Sequence, residues 1–137
     1  MRAVFDTNVV ASALLWGGTP QRLLQAARLK RLQLFTSTPL LVELADVLAR
    51  RKFAPKLAAI RFTIDELIER YAELNTIVRP VSIPRVAPDP DDDAVLATAL
   101  AARAVIIVTG DKGLLGIQQY QGVQIVSVTE AARRIAE

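Results

Sequence analysis

Val105-Ile106-Ile107-Val108-Thr109-Gly110-Asp111 runs through four apolar residues and then ends on small residues and an acid. A strand with one wet face alternates apolar and polar positions; this one does not, so both of its faces must be covered. Ala3-Val4-Phe5, ending at Asp6, reads the same way, and Val123 to Val128 is a further strand. Such strands belong to parallel sheets, whose crossovers are helices packed on the two faces.

Working outward, residues 2–5 form the first strand and a helical run extends from Val9 to Leu15, broken by Gly17-Gly18. Thr19-Pro20 pairs a cap with a proline at the first helical position and opens a helix to about Lys30. Leu32 to Thr36 is a second strand. Thr38-Pro39 repeats the start signal for a helix with Leu40, Leu44, Val47 and Leu48 on one face. Thr63-Ile64-Asp65-Glu66 fits a capping box and starts a helix to about Leu74. Ile77 to Val81 reads as a short strand within a loop marked by Pro80, Pro84, Pro88 and Pro90. Asp89-Pro90 opens a helix to Ala102, and Thr129 caps the last one. The expected architecture is one domain over residues 1–137, a parallel-sheet α/β/α sandwich.

A chain of 137 residues suits a single core. With 52% hydrophobic and 23% charged residues it is expected to be globular rather than disordered. No apolar run approaches the roughly 20 residues needed to cross a bilayer, so no membrane is expected. An acid as early as Asp6 does not fit a signal peptide. The absence of cysteine excludes disulfides and thiolate zinc sites and is compatible with the expected cytoplasmic location. The absence of histidine removes the commonest general base and the Ser-His-Asp mechanism. The net charge is +3, but the bases are clustered, at Arg28, Lys30 and Arg31 and again at Arg50, Arg51, Lys52, Lys56 and Arg61. Either cluster suits a polyanion, or equally a set of cations complementing helix C-termini.

The acids carry the chemistry. In open parallel sheets, ligands collect at the carboxyl ends of the strands; Asp6 directly follows the first strand, and Asp111 comes three residues after Val108. Each candidate also has a plain reading: Asp6 as a helix N-cap, Asp111 as a turn residue, Glu43 as an ordinary glutamate at the edge of a helix face, and residues 89–93 as a solvated first turn favoured by the helix dipole. Helical geometry separates the last group. Val95, Leu96, Ala99 and Leu100 define the core face; Asp92 falls within it and Asp93 at its border. Asn8 suits either a cap or a residue orienting a water. Carboxylates at buried element ends need a neutraliser, and without His or Cys that is a hard cation, Mg²⁺ or Mn²⁺. Such an ion would supply hydroxide near neutral pH and offset charge building on a phosphate.

These residues resemble the PIN domain family, in its branch of toxin components of prokaryotic toxin–antitoxin pairs. The opening Asp with a nearby polar residue matches Asp6 with Asn8. The helix-borne acid after a Ser/Thr-Pro start matches Glu43 after Thr38-Pro39. The acid preceding an apolar helix that ends in Thr-Ala-Leu matches Asp92, with Thr98-Ala99-Leu100. The acid in a Thr-x-Asp pattern matches Asp111 in Thr109-Gly110-Asp111. A further acid common in the family two residues later is Gly113 here. The resemblance implies a PIN-like fold and a metal-dependent ribonuclease using Mg²⁺ or Mn²⁺. Its catalytic and metal residues would be Asp6, Glu43, Asp92 and Asp111, supported by Asn8, Asp93 and Thr109. It also implies an RNA substrate, a homodimer and a cognate antitoxin.

Three other readings remain open. A haloacid-dehalogenase-like phosphatase would use Asp6 as a nucleophile but wants an acid where Asn8 stands. A receiver domain lacks its paired acids after the first strand. A catalytically degenerate RNA- or partner-binding module is compatible with Gly113.

Overall fold

In the computed structural model, which describes residues 1–136, six strands build one sheet. They are β1 (Arg2–Phe5), β2 (Gln33–Thr36), β3 (Asn75–Ile77), β4 (Ile106–Val108), β5 (Gln119–Tyr120) and β6 (Val123–Val126), in the spatial order β3-β2-β1-β4-β6-β5. All neighbours are parallel except β5, which is antiparallel to β6. The chain therefore builds outward from β1 in one direction and returns to lay β4 on its other side. β1 and β4 flank the point where strand order reverses, the usual position for a ligand crevice.

The described residues also form eight helices: α1 (Thr7–Leu15), α2 (Thr19–Arg28), α3 (Thr38–Leu48), α4 (Ala54–Ile60), α5 (Ile64–Glu73), α6 (Pro90–Ala102), α7 (Lys112–Ile117) and α8 (Val128–Ala136). A 3-10 turn, Arg51–Phe53, leads into α4. Side chains alternate across the sheet as the pleat requires. Ala3, Phe5, Leu34, Ile106 and Val108 join a core with α1, α2, α3, α5 and α8. Val4, Phe35, Ile107 and Ile125 join the opposite core with α6 and α7. The sheet is thus covered on both faces, in three layers. No helix of the described residues is long and apolar enough to cross a membrane.

Several elements depart from the sequence reading. The strand expected at Ile77 to Val81 lies earlier, at Asn75–Ile77, because pairing with β2 is over by Thr36. Val78 to Ala87 is irregular instead and crosses α6, where the Val81 N–H donates to the Ala97 carbonyl (3.3 Å). Ala97, under this crossing, and Thr98, bonded to Ser37, are buried although off the expected core face, while Leu100 is only partly so. Segment 49–62 was assigned no helix; Pro55, near the start of α4, is the signal that could have found one. β5 was also missed. It is two residues long and turns into β6 through Gln121 (φ 47°) and Gly122 (φ 87°), a pair with the positive φ angles of a tight hairpin.

Candidate active site

Parallel register brings the first pair of candidate residues together. Phe5 is level with Val108 across β1 and β4, so the next residues, Asp6 and Thr109, emerge side by side at the carboxyl edge. The Asp6 N–H closes the ladder onto the Val108 carbonyl (2.9 Å). Asp6 and Thr109 are both buried. The Thr109 hydroxyl donates to Asp6 Oδ2 (2.7 Å), and its Oγ1 accepts from the Asp111 N–H (3.0 Å). Thr109 therefore couples the first carboxylate to the backbone that carries the fourth.

Asp6 and Asp111 each also cap a helix. Asp6 Oδ1 accepts from the Thr7 N–H (2.7 Å) at the start of α1, two residues earlier than Val9. Asp111 Oδ2 accepts from the Leu114 N–H (2.9 Å) and caps α7, where the sequence reading saw only a turn. Capping and site roles coexist, because each acid keeps lone pairs that the cap does not use.

Glu43 and Asp92 arrive on helices from opposite faces of the sheet. Glu43 is in the second turn of α3 and Asp92 in the first turn of α6, whose N-cap is Asp89, accepting from the Asp91 N–H (3.0 Å). The two helices are tied by a buried hydrogen bond between the Ser37 and Thr98 hydroxyls (2.8 Å). Ser37, not Thr38, is the N-cap residue of α3, and its hydroxyl serves this contact rather than the cap. Nothing in the sequence alone pairs these two residues.

Of the supporting candidates, Asn8 is exposed on the first turn of α1. Asp93 has other work: its carboxylate accepts from the Val86 N–H (3.2 Å), the Ala87 N–H (2.7 Å) and Arg85 Nε (3.0 Å), pinning the proline-rich segment to α6. Thr7 was overlooked. Its side chain is buried and Oγ1 has no hydrogen-bond partner, although it faces Glu43 closely enough to lower that carboxyl slightly. Only adjacency to Asp6 could have drawn attention to it.

Burial and neighbouring carboxylates together raise three of these acids. Burial is the main force pushing up the Asp6 carboxyl, against the hydrogen bonds from Thr109 and Thr7, and Asp111 adds to the rise. Burial, then the charges of Asp6 and Asp91, push Glu43 to about 7. Burial, then Asp111 and Asp6, push Asp92 to about 7, and Asp92 lies within hydrogen-bond reach of Asp111. So Asp6, Glu43 and Asp92 each sense another acid, and a cation among them would relieve both burial and repulsion. Among the described residues no three acidic side chains close into a ready-made cage. An all-oxygen set facing an orphaned hydroxyl fits a Mg²⁺- or Mn²⁺-type ion held through one or two carboxylates and completed by water. Gly113 lies against the cluster: a Cβ there would stand 3.0 Å from Asp111 Oδ2 and 3.6 Å from Pro88 Cγ, so an acid at this position would require Asp111 to shift.

Residues 2–113 match the PIN domain family, a span that includes all four acids and the first two residues of α7. The chain belongs to the PIN domain family. This PIN domain is 28% identical over 122 residues to the uncharacterized protein MJ1680 of Methanocaldococcus jannaschii, covering 86% of this chain and 76% of that protein. It is also similar to a chain in the crystal structure of VapBC2 from Rickettsia felis bound to a DNA fragment from their promoter. The TM-score is 0.62 at 13% identity, covering 93% of this PIN domain and 98% of that chain, and the likeness is one of fold.

Proposed function

We propose that this PIN domain is a divalent-metal-dependent ribonuclease that hydrolyses phosphodiester bonds in RNA and acts as the toxin of a toxin–antitoxin pair. The observation that carries the nuclease reading is the convergence of the buried Asp6 with the half-buried Glu43, Asp92 and Asp111 at the switch point of the sheet, where burial and neighbouring charge raise the first three. Mg²⁺ or Mn²⁺ held there would activate water and offset charge on the phosphate and the leaving oxygen. Thr109 fixes the rotamer of Asp6, and the Ser37–Thr98 contact sets the helices carrying Glu43 and Asp92. An antitoxin partner is supported by the fold likeness to a chain of the VapBC2 structure. A homodimer and a cytoplasmic location remain part of the same proposal.

The test is cleavage of single-stranded RNA by purified protein with Mn²⁺ or Mg²⁺, with and without chelator, beside Asp6→Asn and Asp92→Asn. The expected result is metal-dependent cleavage, lost in both variants without loss of fold; equal cutting by the variants would defeat the assignment. A second reading, a non-catalytic binding module, is favoured by the lack of a closed carboxylate cage and by Gly113. It predicts RNA binding with no cleavage in any metal. Phosphate release from small esters with RNA left intact would favour the phosphatase. Both oxygens of Asp6 already accept hydrogen bonds, which ill suits a nucleophile.

A further inference from the structure

The second basic cluster has no role in the carboxylate site. Arg50, Arg51, Lys52, Lys56 and Arg61 follow one another with no acid between Asp46 and Asp65. Arg50 and Arg61 stand at the C-terminal ends of α3 and α4, and Arg51 and Lys52 in the 3-10 turn, but Lys56 is in the first turn of α4, where the helix dipole disfavours a cation. None of the five cations forms an ion pair among the described residues. Aromatic rings stand among them. Trp16, at the end of α1, meets Phe53 edge-on with ring centroids 5.4 Å apart and is 45% exposed. Lys56 Nζ lies 5.9 Å from the Trp16 ring centroid and Lys52 Nζ 5.1 Å from that of Phe53. Phe62, 37% exposed, carries the Arg70 guanidinium over its ring. A neighbouring cleft of about 210 Å³ between α1, α2 and α5 is lined by Leu14, Ile60 and Phe62 together with Arg28 and Arg70.

An unneutralised run of cations attracts a polyanion, and the exposed Trp16 with the half-buried Phe53 beside it suits a polyanion that also has flat rings to stack. Single-stranded nucleic acid meets both requirements; an acidic peptide meets only the first. We propose that the surface of Trp16, Phe53, Lys52 and Lys56 is a platform for single-stranded RNA, with bases on the rings and phosphates on the lysines. It gives the nuclease a substrate-holding surface separate from its carboxylates, and rests on the ribonuclease reading only in choosing RNA.

Trp16 is the only tryptophan of the chain, so its fluorescence reports from the platform itself. The experiment titrates the full chain, in chelator, with a single-stranded oligouridine of about a dozen nucleotides, and repeats the titration with Lys52→Glu/Lys56→Glu. Anisotropy of a labelled oligonucleotide follows Trp16→Ala. Saturable quenching is expected, with affinity falling as salt rises. The double lysine variant should bind at least about tenfold more weakly, with a log–log salt slope smaller by about 1.4, two phosphate contacts at about 0.7 each. Trp16→Ala should also weaken binding about tenfold or more. Unchanged affinity in both variants, each checked for fold by circular dichroism, overturns the proposal; so does an oligoglutamate that quenches and competes as well as oligouridine. If RNA is cleaved but the variants bind normally, only the platform fails. If the platform binds and no metal brings cleavage, the ribonuclease reading fails alone.

Discussion

Two threonines beside Asp6 are expected to behave in opposite ways when replaced by the near-isosteric valine. Thr109 is fully partnered, giving a hydrogen to Asp6 Oδ2 and taking one from the Asp111 N–H. Thr109→Val strands a buried carboxylate oxygen and a backbone donor together. It should destabilise the chelated protein by about 1–3 kcal/mol in urea melts, and unchanged stability would show that the bridge is weak. Thr7 Oγ1 is buried with no partner, so Thr7→Val removes an unsatisfied group. In chelator and well below pH 7, where Glu43 keeps its proton and draws nothing from the hydroxyl, it should stabilise by up to about 1–3 kcal/mol. If the hydroxyl serves the ion-loaded site, Mn²⁺ affinity measured by calorimetry should drop about tenfold in the same variant and recover in Thr7→Ser. A variant that is both less stable and equally tight for Mn²⁺ would assign Thr7 to packing alone. Thr7 was invisible in the sequence because a threonine after a strand reads as helix start or core filler. Only the packing of α1 against α3 brings it to Glu43.

At the level of elements, boundaries were legible where the chain carries local chemistry. The capping box at Thr63 and Glu66 is formed by reciprocal bonds, each 3.1 Å, and α5 starts where that signal placed it. Helical spacing also set Asp92 toward the inner side of α6, and it stands half-buried in the first turn of that helix beside Asp111. Legibility failed where long-range contacts decide the outcome. The proline-rich segment 78–87 has no periodicity of its own and takes its path from α6 and from the Asp93 carboxylate. Asp93, read as a supporting acid of the site, is in these terms a clamp. Asp93→Ala should release the Val86 and Ala87 amides, raising their hydrogen exchange at least about tenfold while β1 and β4 amides stay protected. It should cost about 1–3 kcal/mol because two backbone donors lose a charged acceptor, and Asp93→Asn should cost less. Unaltered exchange at both amides would mean that the loop is held by apolar contacts of Ile83 and Val86 instead.

On the scale of the whole molecule, the sandwich was readable because apolar strands demand cover on both faces, and the order β3-β2-β1-β4-β6-β5 then places Asp6 and Asp111 on neighbouring strand ends. What the sequence could not show is how far burial opposes the charge gathered there. That opposition links stability to pH. Glu43 has its carboxyl raised from 4.5 to about 7 and Asp92 from 3.8 to about 7, and Asp6 shifts in the same direction. Raised acids mean that the folded chain holds protons the unfolded chain has released. Their stabilising contribution is complete below the unfolded values near 4 and is lost as pH rises through about 7. Asp92→Asn cannot ionise, so it isolates this effect from every other titrating group. In chelator, the variant should melt close to the parent below about pH 4, draw ahead as pH rises, and lie clearly above it at about pH 8, where the parent must carry the extra charge. Mn²⁺ should reverse the order at about pH 8, since the ion binds the deprotonated parent and stabilises it by mass action. A variant that gains nothing at high pH without metal would show that the four acids do not crowd one another, and the case for a cation among them would go with it.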